Sequence, residues 1–289
     1  MAVFSFGFSP CPNDTFAFWA AVHGVVGDAA GSAEVRFEPV IADIEALNER
    51  AVLGHEPLAV TKLSLPALAR VTSDYAVLAS GAALGFGCGP LVVCREDSGH
   101  GTLADLAGAR VAIPGRHTTA ALLLDLLLPV APAARVAMRF DEVMPAIAAG
   151  AVDAGVIIHE SRFTYRDHGL RELADLGVLF EQQSGGPLPL GVIAARRDLG
   201  DAAARAIERA LAASVRLARA QPELPREWVR RHSQELADDV CDRHIALYVN
   251  GFTEDLGAPG RAAIAALLDG GRERGLLPAG PPAFREENV

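Results

Sequence analysis

The stretch S-P-C-P-N-D-T at residues 9–15 lies between an alternating apolar segment, residues 3–8, and an apolar-rich run, residues 16–23. This order predicts a strand, a sharp turn and a helix whose first amides face the turn. The prolines fix the path of the turn, and Asp14 is predicted as the helix N-cap. The free amides at the start of a helix attract anions, so the turn is either a ligand site or a rigid connection without chemistry.

A second turn of the same kind favours the first of these interpretations. Residues 58–60 read as a strand, T-K-L-S at 61–64 as the turn, and residues 65–71 as a helix. Ser64 is predicted as the N-cap, and Lys62 is predicted to lie just past the strand end. Lys62 therefore either contacts a ligand there or is an ordinary solvated lysine.

The third turn joins a strand at residues 110–113 to a helix at residues 120–128. Thr118 and Thr119 lie at the start of that helix, where two hydroxyls and free amides can hold a carboxylate or a phosphate. The alternative is that Thr118 only caps the helix.

The fourth turn carries a histidine. A helical stretch, residues 141–149, leads through Gly150 to a short apolar strand, residues 154–158, which ends at His159. Open α/β sheets bind ligands at the carboxyl ends of their strands, so His159 is predicted to be functional. His117 lies in the loop of the third turn. The histidines outside the four turns are His23, His55, His100, His168, His232 and His244.

Length and composition limit the class of protein. A chain of 289 residues, of which 51% are hydrophobic and 21% charged, favours two lobes with buried cores and no long disorder. The net charge of −10 argues against a nucleic-acid partner or an anionic membrane surface, which would need a basic patch.

The amino-terminal segment lacks the features of a secretory signal. No Lys or Arg precedes Arg36, and prolines interrupt the apolar start, so a cytoplasmic location is expected. Residues 76–94 carry no charge, but their glycines and proline would break a membrane helix. Two short strands around a Gly-rich turn are predicted there.

Other chemical motifs are incomplete. The four cysteines show no C-x-x-C spacing, which argues against a disulfide framework or a zinc site. Residues 159–163 do not complete H-E-x-x-H, and residues 85–90 do not complete a dinucleotide fingerprint. Cys11 could be an exposed nucleophile, but no partner base can be assigned to it, so it is predicted to be inert.

Helices dominate the chain after residue 191. They are predicted at residues 201–220, 223–236, 241–250 and 259–274, and residues 286–289 read as a frayed tail. Segments rich in Gly and Pro at residues 87–94 and 184–191 suggest two crossings between lobes. We therefore expect lobe I at residues 1–94 and 190–289, and an inserted lobe II at residues 95–189.

This organisation resembles the type 2 periplasmic-binding-protein fold, an α/β fold with two lobes around a central cleft. Five segments also resemble the 1,4-dihydroxy-6-naphthoate synthase family, and the resemblance extends over essentially the whole chain. The segments are S-P-C-P-N-D-T-F (9–16), T-K-L-S (61–64), G-R-H-T-T-A (115–120), D-A-G-V-I-I-H-E-S-R (153–162) and H-I-A-L-Y-V-N (244–250).

The resemblance implies a step of menaquinone synthesis by the futalosine route. It implies that cyclic dehypoxanthinylfutalosine is converted to 1,4-dihydroxy-6-naphthoate and dihydroxyacetone, without cofactor or metal. It makes His159 the proton acceptor and implies substrate contacts at the matching turns. The expected contacts, with those of the first turn included, are Ser9, Asn13, Asp14, Lys62, Leu63, Ser64, Thr118 and Thr119.

Other functions of the same fold remain open. A solute-binding protein would normally carry a secretion signal or a lipid anchor, and neither is found. A ligand-sensing domain of a transcription regulator would need an attached DNA-binding module, for which no residues remain. A chorismate dehydratase of the same pathway is not expected to begin with S-P-C-P-N-D. The expected partner is a small-molecule carboxylate, with no nucleic acid and no membrane.

Overall fold

The computed structural model describes residues 2–26, 35–233 and 237–285. Its strands, in chain order, are β1 (Ala2–Phe8), β2 (Val35–Ile41), β3 (Val60–Ser64), β4 (Tyr75–Val77), β5 (Ala83–Gly85), β6 (Leu91–Arg95), β7 (Arg110–Ile113), β8 (Ala134–Ala137), β9 (Ala154–Ile157), β10 (Leu170–Asp175) and β11 (Leu188–Arg196).

The helices pack around these strands. They are α1 (Pro12–Val22), α2 (Ile44–Leu53), α3 (Leu65–Arg70), α4 (Thr119–Leu127), α5 (Phe140–Ala148), α6 (Ser161–Thr164), α7 (Leu176–Ser184), α8 (Gly200–Ala220), α9 (Arg226–His232), α10 (Asp238–Tyr248), α11 (Gly251–Glu254) and α12 (Gly257–Glu273). Short 3-10 turns lie at Leu103–Leu106, Tyr165–His168 and Arg197–Leu199.

The strands form two sheets. The first has the order β2-β1-β3-β11-β4, with β5 also paired to β11, and the second has the order β10-β6-β9-β7-β8. In the first sheet β1 runs parallel to β2 and β3, and in the second β7 runs parallel to β8 and β9. The four predicted strand-to-helix turns follow β1, β3, β7 and β9, so two turns come from each sheet.

The chain changes sheet twice. It leaves the first sheet after β5, enters the second at β6, and returns to the first at β11. Since β6 pairs with β9 and β10, the first change lies within residues 86–90, somewhat before the expected boundary at residue 94. The division into lobes 1–94 with 190–289 and 95–189 stays a prediction.

Buried apolar side chains pack on each sheet and also between the two sheets. Three phenylalanines, Phe6, Phe8 and Phe18, pack on one face of the first sheet. The ring centroid of Phe6 lies 5.0 Å from that of Phe8 and 5.0 Å from that of Phe18. A larger core contains Val111 of the second sheet and Val192 of the first. The two sheets are therefore packed against a shared core.

The helix after the first turn begins earlier than predicted, and Asp14 is not its N-cap. The N-cap position is Cys11, and α1 starts at Pro12. Proline suits the first helical position because its missing N–H has no acceptor there and its φ is already helical. Asp14 consequently lies in the first turn of α1, and its carboxylate turns back to Ser9.

The second turn is also shifted. β3 extends through Ser64 because β11 pairs with it along its length, so Lys62 lies within the strand and not past its end. Ser64 does occupy the N-cap position of α3, but its side chain makes no capping hydrogen bond. The alternative interpretation of Lys62 as a solvated lysine is excluded, since the residue is 5% exposed.

The later elements follow the predicted order with changed bounds. The four predicted helices correspond to α8, α9, α10 and α12, and α11 is additional. Strand β11 occupies part of the segment rich in Gly and Pro at residues 184–191. Residues 234–236 of the second predicted helix and the predicted tail at 286–289 lie outside the described residues. Residues 76–94 contain β5 and β6 around a Gly-rich turn, as predicted. No described helix combines the length and apolarity that crossing a membrane requires.

Candidate active site

A cavity that is partly open to solvent lies between the two sheets. Both sheets and α10 contribute to its wall. The lining residues are Asn13, Ile44, Lys62, Ser64, Ala83, Cys88, Gly89, Pro90, Thr118, Thr119, Ala120, Ile158, His159, Leu190, Gly191, His244 and Tyr248.

A buried ion pair lies at the end of β1. Lys62 Nζ is 2.5 and 2.7 Å from the two carboxylate oxygens of Asp14, and Ser9 donates to the same carboxylate from its amide and its hydroxyl. Asn13 Nδ2 also donates to Asp14, at 2.8 Å. The charge of Lys62 is therefore neutralised within the protein, and Asp14 anchors the turn from behind the cavity wall.

Ser64 presents a hydroxyl to the cavity. Asn48, which is fully buried, donates to Ser64 Oγ at 3.1 Å and accepts from the Ser64 amide at 2.9 Å. Among the contacts of the described residues, Ser64 Oγ only accepts, so its hydroxyl hydrogen remains available to a ligand. The adjacent Leu63 side chain points into the shared core and is 0% exposed.

Thr118 and Thr119 start α4, but their hydroxyls are already engaged. Thr118 Oγ1 accepts from the Ala121 amide and donates to the Gly115 carbonyl, so Thr118 is the side-chain cap of the helix. Thr119 Oγ1 accepts from the Leu65 amide at 3.1 Å and donates to the Leu190 carbonyl at 2.6 Å. The groups of this turn that can still bind an anion are the amides of Thr119 and Ala120, because the Ala121 amide already donates to Thr118.

His159 follows the end of β9 after one intervening residue and lines the cavity, as predicted from its position. Its backbone has φ of 58°, in the left-handed region, which histidine tolerates better than most residues. The ring packs edge-on against Phe140 with centroids 4.8 Å apart. Its Nδ1 lies 3.4 Å from Cys11 Sγ, while Nε2 is buried and has no partner among the described residues.

The environment keeps His159 neutral. Burial and the positive charge of Lys62 lower the pKa of His159 to about 4, against a smaller opposite effect of Asp14. Burial likewise raises the pKa of the Cys11 thiol well above its ordinary value, and the charges of Glu160 and Asp14 add to that shift. At neutral pH the pair is thus an uncharged imidazole beside an uncharged thiol, which agrees with the prediction that Cys11 is not an activated nucleophile.

Two aromatic residues of α10 reach the cavity and were missed from the sequence. His244 is 1% exposed, its Nε2 lies 2.9 Å from Asn13 Oδ1, and its ring centroid lies 4.5 Å from that of Tyr248. His244 was placed outside the four turns because it lies far along the chain, on a helix. The spacing i, i+4 puts His244 and Tyr248 on one helical face, which was the available signal.

The structure brings most of the predicted site residues to one cavity. Asn13, Lys62, Ser64, Thr118, Thr119 and His159 line it; Ser9, Asp14 and Leu63 lie behind its wall. In the described parts of the chain no group of His, Cys, Asp and Glu is arranged to hold a metal ion. The roles of the individual residues in substrate binding and catalysis stay predictions.

Comparison with known proteins identifies relatives along the whole chain. A family model described as menaquinone biosynthesis matches residues 4–273. A 1,4-dihydroxy-6-naphthoate synthase of Thermus thermophilus is 48% identical over 289 residues, covering 98% of this chain and 100% of the relative. A protein of the same name from Streptomyces coelicolor is 47% identical over 282 residues, covering 96% of each chain.

Solved structures agree with the fold. The Archaeoglobus fulgidus protein AF1704 superposes with a TM-score of 0.86 at 34% identity, over 95% of this chain and 98% of that chain. A Candida albicans protein described as having the generic periplasmic-binding-protein fold superposes with a TM-score of 0.68 at 12% identity, over 98% and 93%. The second likeness concerns the fold alone, and it confirms the predicted periplasmic-binding-protein-like architecture. The family model matches most of the length of this chain, and two relatives are nearly half identical to the chain. The chain therefore belongs to the menaquinone biosynthesis family.

Proposed function

We propose that this chain is a 1,4-dihydroxy-6-naphthoate synthase, a lyase that converts cyclic dehypoxanthinylfutalosine to 1,4-dihydroxy-6-naphthoate and dihydroxyacetone. The observation that carries the proposal is the composition of the cavity. It combines the amino-terminal end of a helix, suited to a carboxylate, with an uncharged imidazole whose Nε2 has no partner among the residues that the structure describes. The two relatives that match nearly the whole chain carry the name of this activity.

The aryl carboxylate of the substrate is assigned to the start of α4. The hydroxyls of Thr118 and Thr119 are engaged in protein hydrogen bonds, so the donors are the first amides of the helix together with the hydroxyl of Ser64. Lys62 adds positive potential nearby, although its charge is balanced by Asp14. This assignment places the aromatic ring of the substrate along the apolar wall formed by Ile44, Ala83, Ile158 and Leu190.

His159 is assigned the role of general base. A base must be unprotonated and within hydrogen-bond reach of the proton that it takes, and the lowered pKa of His159 keeps it unprotonated at neutral pH. Nε2 can accept a proton only in the tautomer in which Nδ1 carries its hydrogen and donates it to Cys11 Sγ. In the other tautomer the thiol donates to Nδ1 and Nε2 is itself a donor. The proposed role therefore requires Cys11 to be the acceptor.

The remaining task of the protein is to position the substrate and exclude water. Formation of an aromatic product drives the reaction, so the residues need to supply orientation, a base and a dry surrounding rather than a redox group. The apolar wall of the cavity and the shared core between the sheets suit that task.

The direct experiment is to incubate the purified protein with cyclic dehypoxanthinylfutalosine and to separate the products by chromatography. We expect equal amounts of 1,4-dihydroxy-6-naphthoate and dihydroxyacetone to appear. Chorismate, offered in parallel, should remain unchanged. Binding of the cyclic compound without turnover would instead indicate a solute-binding protein, and conversion of chorismate would indicate a dehydratase; either result would overturn the proposal.

A further inference from the structure

His244 has a buried ring nitrogen that the mechanism described above does not use. Its Nδ1 has no hydrogen-bond partner among the described residues, although the residue lines the cavity and is 1% exposed. A buried polar atom without a partner is costly, and such atoms in native proteins call for an explanation. The ring centroid of His244 lies 6.4 Å from that of His159.

The contacts of Asn13 determine which nitrogen of His244 carries the hydrogen. The carboxylate of Asp14 is paired with Lys62 and can only accept hydrogen bonds. Asn13 must therefore turn its amide nitrogen to Asp14, at 2.8 Å, which leaves Oδ1 facing His244 Nε2 at 2.9 Å. Because Oδ1 is an acceptor, His244 Nε2 must donate.

The remaining nitrogen is then an acceptor. In a neutral imidazole with hydrogen on Nε2, Nδ1 carries a lone pair. Burial lowers the pKa of His244 well below its ordinary value, and the nearby His159 and Lys62 act in the same direction. His244 thus stays neutral, with a fixed tautomer and a lone pair that has no protein donor in the described part of the chain.

We propose that His244 Nδ1 accepts a hydrogen bond from a hydroxyl of the substrate, on the fragment that leaves as dihydroxyacetone. A carboxylate is excluded from this position because two acceptors repel, and the aryl carboxylate is already assigned to the start of α4. The fragment that becomes dihydroxyacetone carries hydroxyl donors, whereas the ring system that becomes the naphthoate presents its carboxylate. His244 is accordingly a specificity-determining residue. This inference rests on the proposed function.

Two substitutions test the contributions of the two ring nitrogens of His244 one at a time. His244→Asn puts a side-chain oxygen near the position of Nδ1 and gives up the bond to Asn13, whereas His244→Gln puts an amide near the position of Nε2 and gives up the acceptor at Nδ1. We expect His244→Gln to raise KM for the cyclic substrate by about three- to ten-fold, the range for one hydrogen bond. His244→Asn keeps the acceptor and should raise KM by clearly less than His244→Gln does. The reverse order would show that the bond to Asn13 matters and would overturn the inference.

Binding of 2-naphthoate, measured by calorimetry, is the control. It has the carboxylated ring system but no hydroxyl group, so the two variants should bind it equally well. Failure of the unsubstituted protein to form the naphthoate would refute the proposed function, whereas normal turnover with equal KM values in the two variants would refute only the role of His244.

An NMR measurement on the unsubstituted protein tests the same role of His244 without depending on the folding of either variant. The ¹⁵N chemical shift of His244 Nδ1 should be that of an unprotonated nitrogen. It should change when a substrate analogue that keeps the hydroxylated fragment binds but not when 2-naphthoate, which has no hydroxyl group, binds. A protonated Nδ1, or equal responses to both compounds, would contradict the proposal.

Discussion

The protonation state of His159 follows from its surroundings at the level of single atoms. An exposed histidine titrates near pH 6.5, whereas burial and Lys62 lower the pKa of His159 to about 4. The position of His159 at the end of a strand could be predicted from the sequence. The size and direction of its pKa shift could not, because Lys62 lies on β3 of the other sheet and becomes its neighbour only where the two sheets meet at the cavity.

The lowered pKa predicts the pH dependence of the reaction. The base is lost when His159 is protonated, so kcat/KM should stay level as the pH falls from about 7 to about 5 and should decrease only near its pKa of about 4. The measurement is a pH–rate profile, with activity checked again after return to neutral pH so that unfolding is not mistaken for protonation. An acidic limb centred near pH 6.5 would show that another group is titrated.

Cys11 is expected to act through His159. The proposed role of His159 requires sulfur to be the acceptor that keeps the hydrogen on Nδ1. Cys11→Ala should therefore lower kcat by about two- to ten-fold, the range for the loss of one hydrogen bond. Cys11→Ser, whose hydroxyl can also accept, is the matched control and should keep most of the activity. A Cys11→Ala variant with unchanged kcat would show that Cys11 does not act through His159.

At the level of elements, the strand-to-helix units could be predicted, and their exact starts could not. The alternating residues 3–8 predicted β1, but Pro12 at the first helical position moved the helix start ahead of Asp14. Likewise Thr118 was recognised as a possible cap, and the structure makes it the cap of α4. The engagement of the Thr119 hydroxyl with Leu65 and Leu190 depends on contacts between the sheets, which no local pattern contains.

Thr118→Val tests the cap of α4. It removes the acceptor of the Ala121 amide, so the free energy of unfolding should fall by about 1 kcal/mol, and the substrate KM should rise because the helix start is less ordered. Thr118→Ser keeps the oxygen and should behave like the unsubstituted protein in both thermal denaturation and kinetics. If the valine variant matches the serine variant in melting temperature, the cap contributes little.

At the level of the whole molecule, the two connections between the sheets touch each other through glycines. A Cβ on Gly89 would lie 2.2 Å from the Cα of Gly177, and Arg162 ties the same place together by donating to the Gly89 carbonyl and pairing with Asp175. The sequence suggested crossings near residues 94 and 189, but not this close approach. Contacts of this kind arise between segments about ninety residues apart and leave no periodic pattern.

Gly89→Ala should therefore destabilise the protein. The added methyl group meets backbone atoms, so the expected loss is about 1–3 kcal/mol in the free energy of unfolding. Gly186→Ala is the matched control, since a Cβ there has open space and the backbone needs no positive φ. Thermal denaturation compares the two variants, and equal melting temperatures would show that the connections are not tightly packed.

His159 is the proposed base in a cavity that binds the substrate through other groups. His159→Asn is the most direct test, because asparagine tolerates the left-handed backbone at this position but cannot take the proton. Turnover of cyclic dehypoxanthinylfutalosine and affinity for the naphthoate are measured on the same folded preparation. We predict that kcat falls by about 10²- to 10⁴-fold while the affinity changes little. A folded His159→Asn variant that keeps turnover within about ten-fold of the unsubstituted protein would contradict the assignment.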